Sequence, residues 1–205
     1  MATVYYDKDA DFNLLKGKKI AIIGYGSQGH AHALNLRDSG AHVVIGTRPG
    51  GKTWDLAASH GWQPQTVKDA VTGADYVQIL LPDTAQAAVW EKEIAPNIKK
   101  GTVLGFSHGF NIHFKTIVPP SHLDVVMVAP RMIGAGVRDR YVANEPYPCF
   151  VSVEKNPSGN ALKTALSVAC AIGATRGRGA VESSCIEEAG IDLFAEQALW
   201  PAINS

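Results

Sequence analysis

At 205 residues the chain is long enough for one good-sized domain with a short appendage, and too short for two full domains. Lys+Arg and Asp+Glu balance at 19 each, so no net field draws the protein toward nucleic acid or an anionic membrane, although a local basic pocket remains allowed. Hydrophobic residues make up 46%, with 20 Gly and 11 Pro, which suits a compact α/β protein rich in tight turns. No apolar run approaches the roughly 20 residues of a membrane helix, and residues 1–11 carry no basic stretch followed by an apolar one. Cys149, Cys170 and Cys185 are odd in number and lack CxxC spacing. Reduced thiols in a soluble, cytoplasmic protein account for them better than disulfides or zinc.

In chain order, residues 19–24 (KIAIIG), 42–46 (HVVIG), 76–81 (YVQILL), 102–106 (TVLGF) and 125–128 (VVMV) read as buried parallel strands. They are β-branched and bounded by Gly, Pro or Asp. Helices are predicted at 27–38, stopped by Gly40, at 53–59, stopped by Gly61, and at 84–93, which cannot pass Pro96. A further strand at 149–153 precedes a helix at about 159–172. The stretch 173–179 reads as a connector, and 186–202 has helical spacing. Strand alternating with helix implies an α/β fold of the Rossmann type, a doubly wound parallel sheet with right-handed crossovers. The expected division is a dinucleotide-binding domain over 1–182 and, over 183–205, the first helix of a helical domain.

Gly24-Tyr25-Gly26-Ser27-Gln28-Gly29 is a GxGxxG between a buried strand and an amphipathic helix, the setting in which that otherwise weak pattern is informative. Gly24 permits the turn, Gly26 lets the backbone approach a diphosphate, and Gly29 allows helix and strand to pack closely. The amides opening the helix, aided by its dipole, then bind the anion. An NAD site places a carboxylate at the end of the second strand. Here that position reads Gly46-Thr47-Arg48-Pro49-Gly50-Gly51-Lys52-Thr53, with two cations and no acid. Arg48 and Lys52 can neutralise a 2′-phosphate and Thr53 can donate to it, so NADP(H) is the expected coenzyme.

Longer motifs carry a resemblance. Residues 4–7 (VYYD), 14–19 (LLKGKK), 24–40 (GYGSQGHAHALNLRDSG), 80–83 (LLPD), 108–114 (HGFNIHF) and 127–130 (MVAP) look like ketol-acid reductoisomerase. So does 192–197, except at Ala195 (DLFAEQ). The resemblance implies NADPH-dependent, Mg²⁺-assisted alkyl migration and reduction of 2-acetolactate-type substrates in branched-chain amino-acid biosynthesis. It assigns the 2′-phosphate to Arg48 and Thr53. It sets Leu81, Pro82, Asp83 and Gln86 near the nicotinamide and adenine portions, and makes His108 an active-site histidine. Gly51 stands where NADPH-using members usually carry serine, so one phosphate contact is expected to be missing.

The departures bear on chemistry. After Met-Val-Ala-Pro the family usually reads Lys-Gly-Pro-Gly-His, its lysine being catalytic; this chain reads Arg131-Met132-Ile133-Gly134-Ala135-Gly136. Arginine keeps the charge but does not readily release a proton, because a guanidinium pKa lies above about 12. Arg131 can therefore orient a substrate carboxylate but not shuttle a proton. Glu188, Asp192 and Glu196 are spaced four apart and would line one helix face. The resemblance makes Asp192 and Glu196 Mg²⁺ ligands, provided the remaining ligands are supplied elsewhere, whereas Glu188 reads as part of a solvated face. The chain ends inside what should be the start of the helical domain, implying a missing domain or a partner, with a homodimer as one way to cover the exposed apolar surface. Two alternatives stand beside the reductoisomerase: a diverged NADP-dependent reductase of another small keto or hydroxy acid, and a non-catalytic dinucleotide-binding module.

Overall fold

The computed structural model describes residues 2–199, 202 and 203. Its strands are β1 (Val4–Tyr5), β2 (Lys19–Ile23), β3 (His42–Gly46), β4 (Tyr76–Ile79), β5 (Val103–Phe106), β6 (Asp124–Pro130), β7 (Cys149–Lys155) and β8 (Ala180–Glu182). The helices are α1 (Ser27–Asp38), α2 (Lys52–Ser59), α3 (Val67–Val71), α4 (Asp83–Val89), α5 (Phe110–His113), α6 (Gly134–Val142), α7 (Ala161–Ala171) and α8 (Cys185–Phe194). Wide turns extend α4 through Trp90–Ile94 and α8 through Ala195–Leu199.

One sheet runs in the order β1-β8-β7-β6-β5-β4-β2-β3. The five strands expected to be parallel are so: β3, β2, β4, β5 and β6 pair in register without reversal. Beyond them the sheet is mixed. β7 runs antiparallel to β6, with Pro130 opposite Cys149, because the chain carrying α6 leaves and re-enters the sheet at the same end of the strands. β8 pairs parallel with β7 and antiparallel with β1. At the opposite edge Gly46 makes one parallel bridge to Gln65, the remnant of a further strand beside β3. The order in which successive strands are added reverses between β2 and β4, β3 lying on one side of β2 and β4 on the other, and such a switch point opens a crevice at the carboxyl ends of the strands.

Alternation within strands feeds two cores. Ile20 and Ile22 join Leu36, Val126, Val128, Leu166 and Val168 on the face covered by α1 and α7. Ala21 and Ile23 join Val77, Ile79, Leu104 and Phe106 on the face covered by α3 and α4. Burial on both faces explains why these strands read as unbroken apolar runs, and each fully buried Ile contributes about 1.5–3 kcal/mol. α1 buries Gly29, Ala31, Ala33 and Leu36, and ends where Gly40 takes φ +87°. No helix among the described residues is long and apolar enough to cross a membrane, and all three cysteines are free thiols.

Candidate functional site

The three glycines of the first turn have different surroundings. Gly24 has φ +93°, a conformation that disfavours any side chain. A Cβ on Gly29 would lie 2.2 Å from the Gly24 carbonyl oxygen, so helix and strand have no room for one. A Cβ on Gly26 would meet nothing within 4 Å: the space over the helix start is open. α1 has Gly26 as N-cap and no side-chain cap, which leaves its first amides for an anion. Tyr25 is fully buried and turned away, its hydroxyl accepting from Trp62 Nε1 at 2.7 Å and paired with His60 Nδ1 at 2.9 Å.

At the end of β3, Thr47 is buried and its hydroxyl lies 2.7 Å from that of Thr53. Arg48 and Lys52 are exposed, without an ion-pair partner among the described residues. They flank the N-terminus of α2, whose N-cap Gly51 has no side-chain cap. A Cβ on Gly51 would meet the Arg48 carbonyl oxygen at 3.2 Å and its Nε at 3.6 Å, so the arginine side chain folds over the position that the resemblance gave to serine.

Leu81, Pro82 and Asp83 follow β4 and, with Gln28 and His108, line a cleft of about 280 Å³. Gln86 borders it but is buried and turned into the loop, its Nε2 donating to the Leu81 carbonyl at 2.9 Å and to Asp83 Oδ1 at 3.2 Å. Beneath the floor runs a buried polar chain. The Tyr76 hydroxyl donates to Gln78 Oε1 (2.5 Å), Gln78 Nε2 to Ser107 (3.0 Å), and Ser107 to the Val128 carbonyl (2.7 Å). It fixes Ser107 immediately before His108.

A larger cleft, of about 480 Å³, shares Gln28, Ser107, His108 and Asp192 with the first and adds Arg131 and Glu188. His108, just past β5, and Arg131, just past β6, both reach α8. Glu188 is their junction: its Oε2 accepts from the Gly109 amide (2.7 Å) and lies 2.8 Å from His108 Nδ1, and its Oε1 lies 2.5 Å from Arg131 Nη1. Arg131 Nη2 bonds Asp192 Oδ1 at 2.7 Å. The expectation of a solvated Glu188 is overturned. It is 1% exposed, because a Cβ on Gly109 would sit only 2.1 Å from the Cys185 carbonyl and glycine there lets α8 close onto the histidine loop. Its spacing from Asp192 was visible in the sequence; its inward direction was not. The side chain of Glu196 lies outside the described residues.

Burial pulls the His108 pKa down, but the hydrogen bond to Glu188 and the charges of Glu188, Asp83 and Asp192 outweigh it, holding the imidazole above 6.5. Burial pushes the Asp83 carboxyl up, opposed by His108 and reinforced by Glu188 and Asp192. His108, Glu188 and Asp192 bring one ligand atom each within 4.8 Å of one another. As arranged, these donors do not fit Mg²⁺, which takes about six oxygens. One oxygen of each carboxylate is bound to guanidinium, and the second Glu188 oxygen is also bonded.

A strand order reversing at an open, glycine-lined helix start defines a dinucleotide-binding domain of the Rossmann type. Residues 14–178 match the family model "Acetohydroxy acid isomeroreductase, NADPH-binding domain", and the chain belongs to this family. It is 50% identical over 199 residues to a ketol-acid reductoisomerase (NADP(+)) of Pyrobaculum neutrophilum, covering 97% of this chain and 61% of the relative. The corresponding protein of Pyrobaculum aerophilum is 51% identical over 197 residues, covering 96% and 60%. Among solved structures, an NADH-preferring ketol-acid reductoisomerase from an uncultured archean superposes with TM-score 0.91 at 42% identity, over 95% of this chain and 60% of that one. A semialdehyde dehydrogenase NAD-binding protein from Cupriavidus necator, at 19% identity and TM-score 0.75, shares the fold. The chain thus spans about 60% of the length of the relatives it matches.

Proposed function

We propose that this chain is the NADP(H)-binding and proton-donating part of a ketol-acid reductoisomerase-like oxidoreductase acting on a small 2-keto acid. The observation that carries the reading is the continuity of the two clefts, which puts the open anion cradle at Gly26 beside the cluster of His108, Glu188 and Arg131. In this reading the amides of Ser27, Gln28 and Gly29 hold the diphosphate, and Arg48, Lys52 and Thr53 receive the 2′-phosphate. Leu81, Pro82 and Asp83 flank the nicotinamide through the strand-end loop, whose shape Gln86 keeps. The bound coenzyme supplies hydride to the keto carbon. His108, whose pKa Glu188 raises, gives its proton to the oxygen on which charge develops, and Arg131 orients the substrate carboxylate through the N–H groups not bound to Glu188 and Asp192.

Residues 1–182 form the coenzyme unit in this proposal and 183–205 open a helical second unit. Ile186, Ile191, Phe194 and Leu199, turned outward by α8 and its extension, are the surface against which that unit or a second copy packs. The compartment proposed is the cytoplasm, where free thiols such as these three stay reduced.

Calorimetry with NADPH and NADH tests coenzyme binding; no heat for either overturns the proposal. NADPH oxidation with 2-acetolactate and Mg²⁺ is then compared with oxidation by a ready-made 3-hydroxy-2-keto acid. Turnover of both supports the reductoisomerase. Turnover of the keto acid alone supports a second reading, reduction without alkyl migration, which Arg131 favours because a guanidinium does not shuttle protons. NADPH binding without turnover of either leaves a dinucleotide-binding module.

A further inference from the structure

Two carboxylates on adjacent turns of α8, one of them buried, ordinarily need a cation between them. Here the cation is in the chain. Arg131 Nη1 lies 2.5 Å from Glu188 Oε1 and Nη2 lies 2.7 Å from Asp192 Oδ1, so one planar guanidinium spans both carboxylates. An ion held jointly by those oxygens would have to occupy the place where the two N–H groups converge. We propose that Arg131 is the resident cation of this carboxylate pair, and that a divalent ion binds at Asp192 only by displacing it.

Anchoring favours the guanidinium. The Arg131 amide donates to the Pro148 carbonyl at 2.8 Å, and its guanidinium carbon lies 5.4 Å from the Phe150 ring centre. Glu188 cannot swing out to follow an ion, since its second oxygen is tied to the Gly109 amide and to His108. Among the described residues, Asp192 Oδ2 is the one oxygen of the pair without a donor at hydrogen-bond distance; His108 Nδ1 is 3.8 Å from it. One free oxygen is a poor start for a six-coordinate shell. Arginine also stays charged throughout the working pH range, so the competition is permanent rather than switched by protons.

The inference concerns the same cleft as the proposed function, but its test involves no coenzyme. Mn²⁺ is titrated into the 205-residue chain and the free ion followed by electron paramagnetic resonance, for the wild type, Arg131→Gln, and Arg131→Gln combined with Asp192→Asn. Arg131→Gln should bind Mn²⁺ about tenfold tighter or more than wild type, with the gain removed by Asp192→Asn. Equal affinity in wild type and Arg131→Gln overturns the proposal, and so does a gain that survives Asp192→Asn. If circular dichroism shows that Arg131→Gln does not fold, Arg131→Lys carries the test, because a single ammonium does not bridge both carboxylates in one plane. Tightening of about threefold or more then supports the proposal, and unchanged affinity overturns it. NADPH titrations on the same proteins separate the two readings. Normal NADPH binding without the Mn²⁺ gain removes the resident cation alone, and a wild type that ignores NADPH removes the coenzyme reading alone.

Discussion

Replacing Glu188 by glutamine probes the junction of the site directly. The change keeps the shape but removes the charge opposite Arg131 and turns an amide NH₂ toward groups that are already donors: the Gly109 amide, Arg131 Nη1 and His108. Breaking a buried ion pair from one side costs about 3–5 kcal/mol. Arg131 keeps Asp192 and some solvent, its side chain being 19% exposed, so the lower end applies, about 3 kcal/mol. Urea unfolding at pH 7 measures it. The histidine gives a second readout with a defined sign. Because the folded pKa of His108 is raised above 6.5, its contribution to stability is fully present below that value and is lost as pH rises through the folded pKa. Glu188→Gln removes the strongest raising influence, so the His108 pKa should fall on NMR titration and the loss of stability on alkalinisation should shrink. An unfolding free energy within about 1 kcal/mol of wild type, together with an unmoved His108 titration, would refute the assignment of Glu188 as the junction.

Other perturbations test separate parts. His32 is completely buried without a hydrogen-bond partner among the described residues, which pulls its pKa to about 4. The unfolded chain therefore takes up the proton first as pH falls below 6.5, costing about 2 kcal/mol by pH 5 and finishing near pH 4. His32→Leu should flatten the stability profile by that amount, and parallel profiles would exclude the cause. Gly109→Ala drives a methyl into the Cys185 carbonyl and should cost about 1–3 kcal/mol while lowering the His108 pKa; an unchanged urea curve would mean that α8 does not sit where described. Arg48→Glu should weaken NADPH about tenfold or more while leaving NADH much less affected. Equal losses in calorimetry would remove Arg48 from the 2′-phosphate site.

The parallel half of the sheet was legible because its strands are buried on both faces, and Val, Ile and Leu runs bounded by glycine leave little else to form. α1 matches its expected span of 27–38 residue for residue, since Gly26 and Gly40 punctuate both ends. Short elements escaped. β1 and β8 have two and three residues, below any readable period, and exist only because they pair with each other and with β7. α3 has five residues, with Thr66 as its cap, and was likewise invisible to periodicity. α6 was not among the helices expected from the sequence, because Gly134 and Gly136 argue against a helix locally; tertiary contact overrides them, Gly134 being the residue that fits against Ser27. In the site, residue types and the i, i+4 spacing of Glu188 and Asp192 were readable. The pairing with Arg131 was not, as it joins residues 57 and 61 positions apart.

The four residues from Arg131 to Gly134 are pinned three times: the Arg131 amide to the Pro148 carbonyl, the Met132 carbonyl by Gln28 Nε2 at 2.7 Å, and the Gly134 amide to Ser27 Oγ at 3.1 Å. Segments facing a substrate usually diversify by gaining and losing residues. This one is laced to the glycine-rich turn that opens α1, and an insertion would unpick both at once. Ile133, 75% exposed, is the unlaced side chain among the four. If the proposed function holds, drift toward new substrates would be written there, one side chain at a time, and a library randomised at that single codon samples what the scaffold permits.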